Sequence, residues 1–258
     1  VCSLPALASA GGVSSSVTDM ARWMTMVLAA GAGDDAFVSR EALLPAVTPQ
    51  IMTGRDPAVS TMSQRAGFYG YGFNVTTTAG GLVDVNHSGA FRLGTGTTVK
   101  MLPAADLGIV VLSDGEANGV AEGIAGRFAD IAQYGAQRQD WLGLYTGIFA
   151  DMAAPLGTLA GKDRPADATP PAALDRYAGV YRNDYFGDAT VSVVDGALQL
   201  ALGPTGRWTL SPWDGDVFTF APTGENATEG TVSQATFGSD GSLVLEYFDQ
   251  HRMGTFRR

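Results

Sequence analysis

The stretch at residues 82–112, LVDVNHSGAFRLGTGTTVKMLPAADLGIVVL, decides the fold of this chain. It holds three runs of β-branched and apolar residues, and the turn sequence Pro-Ala-Ala-Asp separates the last two. No helical period lies between the runs, so successive strands must be antiparallel. An aromatic and β-branched run at residues 68–77 precedes them, followed by the turn Ala-Gly-Gly. We therefore predict an antiparallel meander and not a series of βαβ units.

Helices are predicted on both sides of this meander. Ser16 is a favourable N-cap with Asp19 three residues later, and apolar residues then recur at helical spacing until Gly31. A shorter helix is predicted to begin after Ser39. The two longer helices downstream are predicted at residues 117–134 and 139–159.

The last third of the chain has a different character. Residues 161–173, GKDRPADATPPAA, have the composition of an interdomain linker. Residues 174–258 hold short alternating runs separated by Asp-Gly pairs, which are hairpin signals typical of a small antiparallel barrel or sandwich. The predicted fold class is α+β: a sheet flanked by helices at 1–160, a linker at 161–173 and an all-β barrel domain at 174–258. We expect the barrel domain to fold on its own.

Composition excludes several classes of protein. Of the 258 residues 45% are hydrophobic and 16% charged, which excludes a disordered chain. The net charge is −10 and no Lys/Arg cluster stands out along the sequence, so we predict no nucleic-acid partner. No run of 18 apolar residues occurs, so no membrane span is predicted. Cys2 is the single cysteine and gives no disulfide, and a start without Met is expected of a piece of a longer protein.

The sequence contains no convincing motif for binding a metal ion or a cofactor. The two histidines, His87 and His251, fall in different predicted domains, and no Cys pair or HExxH motif accompanies them. The glycines at 94 and 96 begin a string like GxGxxG, but Val99 takes the place of the third glycine and a strand follows. We predict no metal ion and no cofactor.

The segment His87-Ser88-Gly89-Ala90 has two interpretations. Alone it is a polar strand end followed by glycine. In context it resembles the third motif of the serine β-lactamase and penicillin-binding-protein superfamily, where His-x-Gly replaces Lys-Thr-Gly in esterase-like members. The flanking strands fit this resemblance, and AGGVSSS at residues 10–16 followed by DMARW is similar to the segment that enters a helix in class C-type members. The resemblance covers roughly residues 5–160.

This resemblance implies a reaction and a set of roles. Such enzymes acylate a serine, and the oxyanion needs donors aimed at the developing charge. By resemblance, the Ala90 N–H is one donor and Gly89 lets the substrate lie flat against the strand. His87 takes the place of the family's Lys as a proton carrier, and Ser88 offers a hydroxyl to a substrate carboxylate or the tetrahedral intermediate. The family's usual location implies a periplasmic or secreted protein.

The chain also departs from the family pattern. Its two lysines are Lys100 and Lys162, and the residues three positions before them are Thr97 and Leu159. The Ser-x-x-Lys nucleophile is therefore absent. A Tyr-x-Asn match at residues 181–183 follows the third motif instead of preceding it, so we interpret it as a barrel turn. The N-terminal strands and the helical subdomain of the family are also missing from the pattern.

The sequence thus predicts the C-terminal portion of a class C β-lactamase-like or penicillin-binding-protein-like serine hydrolase that acts on an ester, β-lactam or peptide-type acyl bond. Alone, this chain is predicted to be inactive. Its expected partners are an acyl substrate in the complete enzyme, and either the N-terminal half of the catalytic domain or a second copy. Two alternatives stay open: a non-catalytic ligand-binding or scaffold module, and one chain of a two-chain hydrolase.

The residues after the linker, LDRYAGVY at 174–181, resemble the start of the small barrel appended to many members of this group. Four aromatic residues of this region alternate along predicted strands, which favours the barrel core over a ligand platform. These residues are Trp208, Trp213, Phe218 and Phe220.

Overall fold

The computed structural model describes residues 8–30, 37–53, 65–91, 94–224 and 226–258. The chain divides into two compact units, Val1–Met152 and Ala153–Arg258. The helices are α1 (Ala8–Gly11), α2 (Val17–Leu28), α3 (Arg40–Val47), α4 (Val120–Tyr134) and α5 (Trp141–Met152). The strands of the first unit are β1 (Ile51–Met52), β2 (Phe68–Tyr69), β3 (Asn74–Thr77), β4 (Val83–Phe91), β5 (Thr95–Leu102) and β6 (Leu107–Ser113). Those of the second are β7 (Gly179–Asn183), β8 (Gly187–Val194), β9 (Ala197–Leu202), β10 (Gly206–Asp214), β11 (Val217–Phe220), β12 (Ser233–Phe237), β13 (Ser242–Leu245) and β14 (Thr255–Arg257).

The first unit contains a six-stranded sheet in the order β1-β2-β3-β4-β5-β6, and every neighbouring pair is antiparallel. The predicted meander is confirmed. The turn between β5 and β6 ends at Asp106, whose φ of +51° places it in the left-handed region that Asp tolerates better than most residues. The predicted strand at residues 68–77 is interrupted, because the chain turns between Tyr69 and Asn74.

Helices cover both faces of this sheet. Val85, Val99 and Met101 share one face and form a core cluster with residues of α2 and α3, among them Val27. The alternate residues of β5 point to the opposite face, where Thr98 and Leu102 are also buried, and α4 contacts both β5 and β6. The long helix that follows the strands therefore provides a cover for the apolar sheet.

The capping side chains set the starts of α2 and α3. Ser16 Oγ accepts a hydrogen bond from the Asp19 N–H at 3.1 Å, and Ser39 Oγ accepts one from the Ala42 N–H at 3.3 Å. Both predicted helix starts are confirmed. Helix α2 ends at Leu28, and the predicted stop at Gly31 lies outside the described residues.

The second unit is a closed barrel in which eight antiparallel strands follow one another in chain order from β7 to β14. The ring closes between β14 and β7, where Arg257 lies opposite Arg182. Its core is apolar and aromatic, with Phe218 and Phe256 fully buried. Of the four aromatic residues predicted to be core, Phe218 and Phe220 are buried, Trp208 packs against the core and Trp213 is half-buried.

The segment before the barrel hydrogen-bonds to it. Nine hydrogen bonds, two between backbone groups and seven involving a side chain, connect residues 154–172 with residues 177–246. Gly157, which lies between two of the bonded residues, has a φ of +101°, and a Cβ there would lie 1.8 Å from the Val232 carbonyl oxygen. Residues 161–173, which have the composition of a linker, therefore belong to the second unit, and helix α5 ends at Met152 instead of residue 159.

Within the described part of the chain, no helix is both long enough and apolar enough to cross a membrane.

Candidate active-site strand

The four predicted site residues lie together in the second half of β4, and this half is paired on one side only. Strand β3 stops at Asn74, which lies opposite Asn86. Strand β5 continues on the other side as far as Thr95, opposite Phe91. Among the described residues, residues 87–91 therefore have a strand partner on the β5 side alone.

The hydrogen-bond alternation of the ladder gives the direction of each peptide group in β4. The Thr78 N–H donates to the Leu82 carbonyl at 2.9 Å, so this pair is hydrogen-bonded across the β3–β4 hairpin. In an antiparallel pair such residues alternate, and the peptide groups of even-numbered β4 residues therefore point toward β3. For Ser88 and Ala90, this is the side on which β3 has already ended. The N–H of Ala90 consequently points to an open edge.

The side chains of the segment lie on two different faces of the sheet. The Ser88 and Thr98 hydroxyl oxygens are 2.8 Å apart, and Thr98 Oγ1 also lies 3.3 Å from the His87 carbonyl oxygen. His87 is exposed on the opposite face, and its ring centroid lies 6.2 Å from that of Tyr69 at an interplanar angle of 60°. The strand thus presents a hydroxyl pair on one face and an imidazole on the other.

Gly89 is not required by its described neighbours. A Cβ at this position would lie 3.5 Å from Thr97 Oγ1, which is an ordinary van der Waals distance. The Thr97 hydroxyl donates to the Gly89 carbonyl at 3.1 Å, as expected for a group that faces β5. The described neighbours would therefore accommodate a small side chain at this position.

A buried ion pair that the sequence did not reveal lies further back along β4. Lys100 Nζ is 2.5 Å from Asp84 Oδ2, and the two side chains are only 14% and 10% exposed. Asn86 Nδ2 donates to Asp84 Oδ1 at 3.0 Å, and Asn74 Nδ2 donates to Asn86 Oδ1 at 3.4 Å. A polar chain therefore runs along the face of β4 that carries Ser88, two residues per step. The alternating sequence Asp-x-Asn-x-Ser at residues 84–88 is the signal that could have predicted it.

The charge of Asp84 also affects the pKa of Tyr145 in α5. Burial raises the pKa of Tyr145 above its ordinary value of 10.0, and the carboxylates of Asp84 and then Glu122 raise it further. Tyr145 is therefore held as a neutral phenol. Lys100, one of two lysines in the chain, is held by Asp84 and does not lie free at the open edge.

The described residues contain no group of three or more His, Cys, Asp or Glu side chains arranged to hold a metal ion. The Tyr-x-Asn match lies in the barrel, at the end of β7. Tyr181 is buried and donates its hydroxyl to the Tyr177 carbonyl at 2.8 Å, while Asn183 Oδ1 accepts from the backbone of the following turn. The interpretation of this match as a structural barrel turn is confirmed.

Comparison with known proteins gives the family of this chain. The family model described as Beta-lactamase matches residues 3–133, which is half of the chain. The chain belongs to the β-lactamase family. A second model, described as a domain of unknown function (DUF3471), matches residues 163–244 of this β-lactamase-family chain. The mixed α and β fold with an appended barrel and the resemblance to the C-terminal portion of this family are thus confirmed.

Three solved structures are similar to parts of this β-lactamase-family chain. The C-terminal domain of penicillin binding protein Rv0907 is 50% identical over 38% of this chain and 96% of that domain, with a TM-score of 0.36. SurE with D-Leu is 18% identical over 98% of this chain, with a TM-score of 0.35. A further SurE structure is 17% identical over 94% of this chain, with a TM-score of 0.34. The chain spans 52% and 48% of these two SurE chains. No curated protein matches the chain.

Proposed function

We propose that this chain supplies one wall of the active site of a serine hydrolase that cleaves an ester, β-lactam or peptide-type acyl bond through an acyl-serine. Membership of the β-lactamase family supports a serine-hydrolase type of fold. The observation that carries the proposal is the Ala90 N–H, which the ladder alternation directs to the open edge of β4. A fixed backbone donor at such an edge is the geometry that stabilises an acyl oxyanion.

Each residue of the segment has a role in this proposal. Ala90 N–H binds the oxyanion. His87 exchanges a proton with the reacting groups, for which an imidazole is suited near neutral pH. Ser88 binds a substrate carboxylate, and Thr98 holds its hydroxyl in place at 2.8 Å. The serine nucleophile and its lysine must lie outside residues 1–258, because no serine precedes Lys100 or Lys162 by three residues.

The first test concerns the chain alone. Because it lacks Ser-x-x-Lys, we expect neither turnover of a chromogenic cephalosporin or p-nitrophenyl ester nor labelling by a fluorophosphonate probe. Intact mass spectrometry after labelling gives the stoichiometry. One probe molecule per chain on any serine would show that residues 1–258 contain a nucleophile, and the proposal that it lies outside them would fall.

The second test restores the site. A polypeptide that carries Ser-x-x-Lys and Tyr-x-Asn in the family order is added, and acylation is followed by stopped flow. We expect His87→Ala to lower the rate about 10²–10⁴-fold, the usual contribution of general acid–base catalysis. His251→Ala removes the only other histidine and is the matched control, with no expected effect. Equal rates for both variants would remove His87 from the proposal.

Ala90→Pro tests the oxyanion role directly. Proline removes the N–H, and an edge strand tolerates it where that N–H faces outward. We expect acylation to slow about 10²–10³-fold, as for loss of one oxyanion donor. Ala90→Ser keeps the N–H and should retain the rate. A melting temperature close to that of the parent would show that the β4–β5 ladder is intact, and an unchanged rate in that folded variant would refute the assignment.

A further inference from the structure

A second candidate ligand site lies where β7 and β14 close the barrel. A groove of about 550 Å³ is lined by Arg182, Arg252, Arg257 and Arg258, together with Asp184 and the exposed Tyr185. The chain has 16 Lys and Arg residues and a net charge of −10. A quarter of its positive side chains therefore surround one groove; three of them lie within residues 252–258, and Arg182 joins them from a distant part of the sequence.

The register brings two of these charges together. Arg182 lies directly opposite Arg257 where β7 and β14 close the barrel. Like charges in directly opposed positions destabilise a sheet. Arg257 is partly compensated by Asp240 at 3.3 Å, and Asp188 lies opposite Arg182 on the other side. Within the described residues, however, no ion pair is formed by Arg182 or Arg252.

Arg252 is held in an unfavourable backbone conformation. Its φ is +60°, in the left-handed region that glycine or asparagine adopts more readily. The turn around it is fixed, because the Arg252 N–H donates to the Asp249 carbonyl at 2.9 Å and Asp249 Oδ1 accepts from the Gly254 N–H at 2.7 Å. The fold thus keeps an arginine at a position where a smaller residue would be less strained.

Hydrogen bonds fix the floor and one side of the groove. Asn183 Nδ2 donates to the carbonyl oxygens of Met253 and Thr255 at 2.7 and 2.9 Å. Arg258 Nη2 contacts the carbonyl oxygens of Arg176 and Ala178, each at 2.7 Å, and its guanidinium carbon lies 5.0 Å from the centre of the Tyr181 ring. A site with a fixed floor binds at a lower entropic cost than a flexible one.

We propose that this groove binds a compact multivalent anion, a small molecule with two or more carboxylate or phosphate groups. Guanidinium groups bind such oxyanions through paired N–H donors. The volume lies within the usual range for small-molecule sites. A long polyanion is a poorer fit, because beyond a Debye length of about 8–10 Å it meets a chain with a net charge of −10.

The test titrates the whole chain with citrate and with pyrophosphate by isothermal calorimetry at fixed ionic strength. We expect saturable one-site binding of at least one anion, and the stronger of the two identifies its chemical source. Replacing both unpaired arginines, as Arg182→Ala with Arg252→Gly, should weaken that binding at least tenfold. Because both changes relieve an unfavourable feature, the melting temperature should stay the same or rise, so a weakened affinity cannot be ascribed to unfolding.

Two variants are matched controls. Asp195→Gly relieves the same left-handed strain at a φ of +50° elsewhere in the barrel. Arg207→Ala removes an exposed barrel arginine that does not line this groove. Neither should change the affinity. Absence of saturable binding, or equal weakening by Arg207→Ala, would refute the site, and stronger capture by anionic vesicles or heparin through the same arginines would refute a compact ligand. The readout needs no acylation, so it is independent of the proposed hydrolase function.

Discussion

The two units of this chain differ in whether their strands have unpaired edges. In the barrel each of the eight strands is paired on both sides, and no edge remains. In the sheet unit β4 is paired on both sides only as far as Asn86, and its second half has β5 alone among the described residues. Proteins usually pair, cover or shorten such an edge, because it can pair with another chain. The comparison separates a unit whose strands form a closed ring from a unit in which one strand is unpaired along part of its length.

The interiors of the two units also differ, in how much charge they bury. The barrel core consists of aliphatic and aromatic side chains, with one buried polar atom, Trp208 Nε1, left without a partner in the described residues. The sheet unit instead buries the charged pair of Asp84 and Lys100 behind the site strand. Buried charges that lose their partner are costly, whereas apolar cores tolerate exchange of similar side chains. The open unit is therefore expected to be the more sensitive to loss of a single polar group.

The experiment with the largest expected effect tests at which residue the barrel unit begins. Residues 153–258 and 174–258 are expressed separately and unfolded with urea. At about 0.5–1.5 kcal/mol for each hydrogen bond, loss of the nine bonds to residues 154–172 should cost the shorter piece about 5 kcal/mol or more. Gly157→Ala in the longer piece should reproduce part of this loss. Equal stability of the two pieces would show that the stable barrel unit begins at residue 174, as its hairpin signals predict.

The second effect concerns the buried pair of the open unit. Asp84→Asn leaves Lys100 buried without a counter-charge and should destabilise the first unit by about 3 kcal/mol. The double variant Asp84→Leu with Lys100→Met removes both charges and should recover most of that loss. Scanning calorimetry that resolves the two units is the measurement, and the barrel transition should not move. A double variant as unstable as Asp84→Asn would mean that the pair itself stabilises the sheet.

A pH effect of intermediate size is expected in the barrel. Burial raises the pKa of Tyr177 above 10.0, and its hydrogen bond to Asp216 at 2.6 Å raises it further. A raised pKa in the folded state favours the neutral phenol, so this contribution is constant below pH 10 and is lost as the pH rises further. Tyr177→Phe should cost about 1–2 kcal/mol at pH 7, through the unpaired Ala172 N–H and Asp216, and flatten the decline above pH 10.

Urea unfolding of Tyr177→Phe at pH 7, 10 and 11 gives both quantities. Tyr185→Phe is the control, because the side chain of Tyr185 is 72% exposed. An unchanged slope above pH 10 in Tyr177→Phe would show that another group dominates the alkaline transition, with the buried Tyr181 as the next candidate.

The smallest effect lies at the start of α2. Ser16→Ala removes the cap on the Asp19 N–H and should destabilise the first unit by about 1 kcal/mol. Arg22→Ala breaks the exposed ion pair to Asp19, whose side chains are 77% and 62% exposed, and should change stability by less than about 0.5 kcal/mol. Calorimetry on both variants checks the order. A larger effect for Arg22→Ala would reverse the ranking of cap and ion pair.

The features that the sequence predicted well are local. The strand at Thr95–Leu102 follows from its β-branched residues and the Pro-Ala-Ala-Asp turn, and the start of α2 follows from Ser16 and Asp19. The missed features depend on contacts distant in the chain. Asp84 and Lys100 are 16 residues apart and meet only through the β4–β5 register. The docking of residues 154–172 rests on bonds to backbone and side chains up to 88 residues away, which no local composition indicates.

The same limit applies to the candidate site. Residues 87–90 stand out in the sequence, but whether their peptide groups have a strand partner depends on where β3 ends. The aromatic and β-branched run at residues 68–77 does not show that end, because the structure divides it into β2, a turn and β3. The Thr78–Leu82 hydrogen bond and the last pair, Asn74 with Asn86, together show that the peptide groups of Ser88 and Ala90 point to the side without β3.

The unpaired second half of β4 also determines where the side chains of an extended ligand would lie. The peptide groups of Ser88 and Ala90 repeat every roughly 6.8 Å, so a ligand in extended conformation can join the sheet as an additional strand. Its successive side chains would then point alternately to the face of His87 and to the face of Ser88 and Thr98. Adjacent side chains of the ligand would therefore lie near the imidazole on one face and near the hydroxyl groups on the other. A shift of one residue in the register would move each ligand side chain to the opposite face.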